Sequence, residues 1–367
     1  MKNTYATILT ALAISACGAP ETETNPIAAA LQGAVAEGKY FYGHQDDLMY
    51  GHTWNATLEG DHSQMRSDVL DVCGSYPAVL GLDLGEIELG GSCNLDGNDF
   101  GLMREAAIKH HERGGLVTLS WHMRNPRTGS DAWDNSDSLT VASILEGGEN
   151  HEKLLGWLDA GADFIAGLKD SDGNQIPVIF RPWHEHSGGW FWWGSQTTTP
   201  DQYNELWRMT YDYMTRVKGL TGLLWAISPD GKGGDFDAWM SRYPGDGYVD
   251  IIGLDYYMNT GMEPDAAVED YMKVMKGALT SLQKMCEEHG KILAVTETGY
   301  EGIPHASWWT EVMMKALDGF PVSYVLTWRN ASDEEKRDHH FYGPWPGQTS
   351  AADFKAFADD DRTIFLK

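Results

Sequence analysis

The stretch IPVIFRPWHE, residues 176–185, is the most informative segment of this 367-residue chain. It opens on a short apolar run and ends in polar and aromatic residues. The run lacks the strict alternation of a half-exposed strand, which is typical of a parallel strand covered by helices on both faces. We therefore predict a buried strand that ends near Arg181, His184 and Glu185.

Seven further runs have the same character. They are FYGHQ (41–45), PAVLGLDLGE (77–86), GGLVTLSWH (114–122), GLLWAISPDG (222–231), VDIIGLDYYM (249–258), KILAVTETG (291–299) and PVSYVLTWRN (321–330). Amphipathic helical segments separate most of them. Eight strands that mostly alternate with helices predict an α/β protein with a single (β/α)8 barrel, a TIM barrel. A doubly wound open sheet is the alternative, but it usually has fewer strands.

Polar and aromatic residues gather where these runs end. In a barrel the carboxyl ends of all the strands meet at one rim, where active sites lie. Glu185 ends the fourth predicted strand and Glu297 ends the seventh, 112 residues later. Glycoside hydrolysis needs such a pair of carboxyl groups, and a separation of about 5–5.5 Å would indicate retention of configuration.

The neighbours of the two glutamates indicate different roles. Glu185 lies close in sequence to Trp190 and two further tryptophans, and apolar surroundings raise the pKa of a carboxyl group, as a general acid requires. Glu297 has Tyr256 or Tyr257 available from the neighbouring strand. A hydrogen bond from a tyrosine favours the ionised carboxylate, as a nucleophile requires.

The motif R-P-W-H-E, with a tryptophan five residues beyond the glutamate, precedes T-E-x-G by about a hundred residues. This pattern resembles glycoside hydrolase family 26, and the resemblance covers residues 40–330. The resemblance implies a retaining (β/α)8 hydrolase of the kind best known as β-1,4-mannanase. A histidine before the acid, as in His184, is typical of this family, whereas most related families have asparagine there.

The resemblance assigns roles to particular residues. It makes Glu185 the acid/base and Glu297 the nucleophile, with Tyr257 as the preferred partner of the nucleophile and Tyr256 as the second choice. The expected substrate-binding residues are His122, Arg181, His184, Trp190, Asp255, Tyr257 and Trp328. The reaction needs no metal and no other cofactor.

The expected activity is hydrolysis of mannan, galactomannan or glucomannan, either within the chain or with release of mannobiose. Long segments after the first two strands, DLMYGHTWNATLEGDHSQ and LGGSCNLDGNDFG, are candidates for walls at one end of a cleft. Family 26 also includes enzymes for β-1,3-xylan and mixed-linkage β-glucan, which remain alternatives. A glycan-binding lipoprotein without catalysis is a further alternative, although it would not need both glutamates.

Several of these residues also have plain structural interpretations. Arg181 would serve as an ion-pair residue of the barrel, and His122 as a satisfied core histidine. Trp192 and Trp193 would pack beneath a loop. The run GHQDDLMYGH contains possible metal ligands, but its spacing does not require a metal, and bracing of the first strand or a distal sugar contact is the simpler interpretation.

The amino terminus, MKNTYATILTALAISACGAP, predicts export. A lysine precedes an apolar run that is too short for a normal membrane span, and small residues precede Cys17. We predict a lipoprotein signal peptide over residues 1–17 with Cys17 lipidated, a tether over 18–26 and a catalytic domain over 27–367. An ordinary signal peptide is the alternative. The protein would then be a cell-envelope lipoprotein that touches the membrane only through its lipid.

Composition adds two constraints. The net charge of −27 argues against a nucleic-acid partner, which requires a basic surface. Export permits a disulfide, and Cys73 and Cys93, which flank a predicted strand, are the candidate pair. Cys286 lies in a helical pattern and is expected to be a buried free thiol. The expected partner is thus a polysaccharide, and we take a monomer as the default state.

Overall fold

The computed structural model describes residues 25–59, 65–232 and 235–367, so the predicted signal peptide and Cys17 lie outside the described residues. Eight parallel strands form the barrel, each paired with the next in sequence. They are β1 (Tyr40–Gln45), β2 (Val79–Asp83), β3 (Leu116–Ser120), β4 (Val178–Arg181), β5 (Leu223–Ile227), β6 (Ile251–Ile252 and Asp255–Met258), β7 (Ile292–Leu293 and Val295–Tyr300) and β8 (Tyr324–Thr327). β8 pairs with β1, with Val325 opposite Tyr42, so the ring closes and the predicted (β/α)8 barrel is confirmed.

Helices surround this ring. They are α1 (Pro26–Ala36), α2 (Asp68–Cys73), α3 (Phe100–Glu112), α4 (Thr140–Ile144), α5 (His151–Ala166), α6 (Pro200–Asp212), α7 (Phe236–Ser241), α8 (Pro264–His289), α9 (Met314–Leu317) and α10 (Ala351–Ala358). A π-helical turn follows α6 (Tyr213–Val217) and another precedes α9 (Trp308–Met313). Among the described residues, no helix has both the length and the apolar content that crossing a membrane would require.

The barrel interior is a packed core. β2, β3, β4, β5 and β8 are buried along their whole length, which explains why their sequences do not alternate. Residues near the amino ends of the strands form one apolar cluster, which includes Val79, Ile179 and Ile251. Ile27 and Leu31 of α1 join that cluster, so α1 covers the amino-terminal end of the barrel. The opposite rim is left for polar side chains.

Two small sheet elements were not predicted. The C-terminal strand β9 (Thr363–Leu366) pairs in parallel with β1 and antiparallel with Tyr76–Pro77. Phe365 stacks on Tyr42, with 5.0 Å between the ring centroids, so the end of the chain is packed against the barrel. A hairpin formed by Tyr50–Gly51 and Trp54–Asn55 stands on the rim after β1.

Whether Cys73 and Cys93 are joined was left open by the sequence, and in the structure both thiols are free. Cys73 ends α2 before β2 begins, and its Sγ donates to the carbonyl of Ser75. Cys93 is exposed on the rim after β2 ends. A five-residue strand separates them by roughly 17 Å, whereas a disulfide requires Cα atoms within about 7 Å. Cys286 is a buried free thiol, as expected, and burial raises its pKa to about 12.

Candidate active site

The chain turns sharply after β4, and this turn aims Glu185 into the mouth of the barrel. Arg181 is the last residue of β4. Glu185 was predicted to end this strand, but it lies four residues beyond it. Trp183 and Glu185 both have φ of 51°, a left-handed conformation that is costly for residues other than glycine. The Glu185 amide donates to the carbonyl of Ser228 at 2.7 Å, which anchors the turn to the end of β5.

Glu297 lies across the mouth in β7, where it is almost fully buried. Its carboxylate accepts hydrogen bonds from Arg181 and from the hydroxyl of Tyr257, the latter at 2.6 Å. The Tyr256 hydroxyl instead donates to Asp270 at 2.8 Å. Tyr257, the preferred candidate, is therefore the tyrosine partner of Glu297.

The two glutamates form a close pair. One carboxylate oxygen from each of Glu185, Asp255 and Glu297 lies within 4.8 Å of the other two. This spacing suits direct attack by one carboxylate, because an inverting pair needs roughly 6.5–9.5 Å to accommodate a water molecule. In the described part of the chain, this is the one such group of three or more candidate metal ligands. Arg181 already supplies positive charge there, since it bonds to Asp255 at 2.8 Å and to Glu297.

The surroundings of Glu185 favour its protonated form. Burial, the negative charge of Glu297 and then those of Asp255 and Asp230 hold the pKa of Glu185 well above its usual range. The indole N–H of Trp190 donates to Oε2 of Glu185 at 2.5 Å and fixes the side chain. The two carboxyl groups therefore differ: Glu185 is poised to give a proton, while Glu297 is held by a cation and a hydroxyl.

A chain of buried polar groups supports the site from β2 and β3. Asp83 accepts hydrogen bonds from Ser120 Oγ at 2.6 Å, from His122 Nδ1 at 2.7 Å and from the Gly85 amide at 2.7 Å. Burial alone would raise the pKa of Asp83. The charge and hydrogen bond of His122, with the other hydrogen bonds, have the larger effect and lower this pKa to about 2. Asp83 in turn raises the pKa of His122 against the effect of burial.

A hydrogen bond connects His122 to His184. The two Nε2 atoms lie 3.2 Å apart, and burial, followed by the charge of Arg181, keeps the pKa of His184 well below its usual value. A neutral His184 therefore accepts the hydrogen bond that His122 donates. Asp83 is not among the predicted site residues, because the hydrogen bonds that define its role come from Ser120 and His122 at the end of another strand.

Aromatic side chains form the walls of the mouth. Trp190 contacts Glu185, and the partly buried Trp328 lies 5.9 Å from His122 between ring centroids. Trp133, which sequence reasoning missed, is 48% exposed and stacks on His122 at 5.1 Å with an interplanar angle of 18°. It lies in the long loop after β3, where no periodic pattern marks a residue as functional. Its exposed face offers a platform for an apolar sugar face.

Trp192 and Trp193 have the structural role that was weighed for them. Both are fully buried. Trp192 Nε1 donates to the Met123 carbonyl at 2.9 Å, and Trp193 Nε1 donates to the His184 carbonyl at 2.7 Å. They therefore pack beneath the rim and hold the loop that carries Trp190.

Asp255, Arg181 and His184, which were predicted to bind substrate, are buried beside the two glutamates. Asp255 has no exposed surface, and it accepts hydrogen bonds from Arg181, from Ser228 Oγ at 2.9 Å and from Thr296 Oγ1 at 2.5 Å. Its position fits support of Arg181 and not the predicted contact with substrate. Arg181 and His184 are themselves only 2% and 1% exposed.

The run after β1 braces the rim. His44 Nδ1 lies 3.0 Å from Asp47 Oδ1, and the Tyr50 hydroxyl donates to Asp46 at 2.8 Å. His52 stacks on Trp345, with 3.8 Å between ring centroids. These contacts agree with a bracing role for the first strand.

The chain is similar to several known proteins. The sequence profile of glycosyl hydrolase family 26 matches residues 34–311. A mannan endo-1,4-β-mannosidase of Bifidobacterium adolescentis is 33% identical over 337 residues, which are 87% of this chain and 33% of that protein. A mannan endo-1,4-β-mannosidase of Bacillus subtilis is 36% identical over 268 residues, which are 70% of this chain and 67% of that protein. The chain thus spans one third of the length of the Bifidobacterium relative.

Solved structures agree in fold. A GH26 β-mannanase from Bacteroides ovatus superposes with a TM-score of 0.85 at 45% identity and covers 94% of this chain and 96% of its own. A modular endo-β-1,4-mannanase from Cellulomonas fimi superposes with a TM-score of 0.78 at 34% identity and covers 92% of this chain and 75% of its own. On the match over residues 34–311 and these likenesses, the chain belongs to glycosyl hydrolase family 26.

Proposed function

We propose that this protein is a retaining β-1,4-mannanase that hydrolyses mannan, galactomannan or glucomannan. The observation that carries the proposal is the close pair of Glu185 and Glu297, whose oxygen atoms lie within 4.8 Å and whose surroundings differ. Because the similar proteins are mannan endo-1,4-β-mannosidases and a β-mannanase, we infer that the substrate is β-mannan and not β-1,3-xylan or mixed-linkage β-glucan. A protein that only binds glycan would not need one carboxyl group kept protonated beside another.

The first half of the reaction forms a covalent intermediate. A carboxylate oxygen of Glu297 attacks the anomeric carbon while the bond from that carbon to the glycosidic oxygen breaks. Glu185 transfers its proton to the departing oxygen, so the leaving chain departs as an alcohol and Glu185 becomes a carboxylate. Arg181 and Tyr257 orient Glu297 for this attack through their two hydrogen bonds.

The second half uses the same groups in reverse. The ionised Glu185 takes a proton from water while the water oxygen attacks the anomeric carbon. The bond to Glu297 breaks, Glu297 regains its charge and Glu185 regains its proton. Two inversions at one carbon give net retention. The residues of the chain supply every proton and every nucleophile except the water, so the scheme calls for no cofactor.

The tryptophan side chains around the mouth favour a sugar chain as substrate. Trp190, Trp133 and Trp328 present indole faces around the mouth, and the C–H faces of pyranose rings are apolar enough to stack on them. The hydroxyl of Tyr257 donates to Glu297 and can still accept a hydrogen bond from a sugar hydroxyl.

The cellular location is part of the proposal. The apolar run and the small residues before Cys17 support an exported lipoprotein of the cell envelope. The acidic surface suits a soluble catalytic domain that is tethered to a membrane by lipid alone. We take a monomer as the working state.

Contacts among three rim loops favour short products. Ser332 Oγ donates to the Asp96 carbonyl at 3.0 Å, and Arg337 donates to Asn55 Oδ1 at 2.5 Å and to the Ser332 carbonyl at 3.1 Å. We call Asn55, Asp96, Ser332 and Arg337 the crossbar. It joins the loops after β1, β2 and β8, on the side of the mouth opposite Glu185. Because the acid protonates the leaving chain, the crossbar lies at the end that holds the released glycone.

Two cavities border the crossbar. One, about 560 Å³, is lined by Glu301, Arg329 and His340 among others, and the other, about 570 Å³, by the hairpin after β1 and the start of α3. Asp96, Ser332 and Asp333 line both. The hydrogen bonds that join the three loops would hinder a long glycone from passing, and we therefore favour release of mannobiose over random internal cleavage.

Substitution of the two glutamates tests the catalytic roles. We expect Glu185→Ala to lose activity on β-mannan but to keep cleaving 2,4-dinitrophenyl β-mannobioside, whose leaving group needs no proton. Azide should accelerate that turnover, because it replaces the water that needs a base. Glu297→Ala should lose activity on both substrates. Steady-state kinetics with both substrates measure this. Full mannan activity in either variant would refute the assignment.

Tyr257→Phe tests the support of the nucleophile. It removes a hydrogen bond to a charged group, which is worth about 1.5–3 kcal/mol, so kcat/KM on mannopentaose should fall roughly 10- to 100-fold. Tyr256→Phe is the matched control, because the Tyr256 hydroxyl bonds to Asp270 away from the glutamates. Equal losses in the two variants would show that the hydroxyl of Tyr257 has no special role.

A time course of products tests the crossbar. Wild-type protein should release mannobiose as the main product from unbranched β-mannan at the earliest times. Arg337→Ala removes the bonds to Asn55 and Ser332 and should lengthen and broaden the early products. Lys284→Ala, an exposed change on α8, is the control. A ladder of mixed lengths from the wild type at early times would contradict a closed glycone end.

A further inference from the structure

Asp230 is held beside Glu185 by contacts between the loops that follow β4 and β5. The Glu185 amide donates to the Ser228 carbonyl at 2.7 Å. The Asp230 amide donates to Ser187 Oγ at 2.9 Å, and the Ser187 hydroxyl lies 3.3 Å from the Asp230 carbonyl, to which it donates. These bonds fix the position of Asp230 relative to the turn that carries Glu185.

The carboxylate of Asp230 has one oxygen without a donor. The residue is only 8% exposed. Its Oδ1 accepts the Lys232 amide at 2.8 Å, whereas no group among the described residues donates to Oδ2. Oδ2 lacks a donor among these residues but is not one of the fully buried polar atoms, so a ligand can reach it. A largely buried carboxylate oxygen gains free energy from a donor, so Oδ2 is ready to accept one from a ligand.

The leaving chain lies on this side of the mouth. The glycone occupies the side of Glu297 and the crossbar, and Glu185 protonates the oxygen that joins it to the leaving sugar. In the proposed mechanism the leaving sugar would extend over the ends of β4 and β5, on the side where Trp190 bonds to Glu185. Sugar hydroxyls are the donors available there.

We propose that Asp230 is a substrate-binding residue for the leaving side, where its Oδ2 accepts a hydrogen bond from a hydroxyl of the departing sugar. This inference rests on the proposed glycoside hydrolase function and deepens it. The ligand class is a neutral sugar with a free hydroxyl near the cleaved bond, as in a β-mannan chain.

The charge of Asp230 has a second consequence for the reaction. Its carboxylate is one of the groups that raise the pKa of Glu185, together with Glu297 and Asp255. Burial raises the pKa of Asp230 itself to about 6, so it is ionised above that pH. The charged and titratable groups near Asp230 are Glu185 from the turn after β4, Lys232 from its own loop, and Asp255 and Tyr256 from β6.

Asp230→Ala and Asp230→Asn in the full chain test this role. With mannopentaose, Asp230→Ala should lose roughly tenfold or more in kcat/KM, because a hydrogen bond to a charged group is lost. With 2,4-dinitrophenyl β-mannobioside, which has no leaving sugar, the change should stay within about twofold. Asp230→Asn keeps an acceptor oxygen and should lose less on mannopentaose.

The pH profile gives an independent readout. Removing a negative charge lowers the pKa of Glu185, so the protonated acid is lost at a lower pH. The alkaline limb of kcat/KM on mannopentaose should therefore move to lower pH in both variants. Asp237→Asn, which removes an equal charge from the exposed start of α7, should leave the limb in place.

The outcomes separate the two proposals. Equal losses on both substrates, or unchanged kinetics and an unmoved alkaline limb in both variants, would overturn the role of Asp230 while the mannanase assignment stands. Wild-type protein that cleaves neither substrate would refute the mannanase proposal and this inference with it.

Discussion

The site depends on the ion pairs that Arg181 makes at the end of β4. Three carboxyl groups, those of Glu185, Asp255 and Glu297, have oxygen atoms within 4.8 Å of one another, and such a cluster cannot stay fully ionised without a nearby cation. The guanidinium bonds to Asp255 and Glu297 and leaves Glu185 without a cation of its own. One buried arginine therefore pairs with two of the three carboxyl groups and leaves Glu185, whose pKa is raised, without a cation.

The rest of the barrel maintains this division. Strained backbone at Trp183 and Glu185 turns the acid into the mouth, and buried tryptophans fasten the loop that follows. Because a strained conformation persists only where its surroundings impose it, the tight packing beneath the rim is the structural requirement for the reaction. The different surroundings of Glu185 and Glu297 therefore depend on the fold as well as on the residues next to each of them in sequence.

Much of this architecture could be predicted from the sequence, because buried parallel strands read as short apolar runs and their polar ends mark one rim. Glu185, Glu297 and the choice of Tyr257 over Tyr256 followed from strand ends and a family motif. Asp83 and Trp133 could not be found in this way, since their partners lie on other strands or loops. The state of Cys73 and Cys93 could not be predicted, because their spacing in the sequence does not show that β2 lies between them.

The stereochemical course of hydrolysis directly tests whether Glu297 acts as the nucleophile. Proton NMR of a manno-oligosaccharide during the first minutes of reaction distinguishes the two anomers of the new reducing end before they equilibrate. The close spacing of Glu185 and Glu297 predicts that the β-anomer appears first, since two inversions retain the configuration. First appearance of the α-anomer would show a single inversion and contradict Glu297 as a nucleophile.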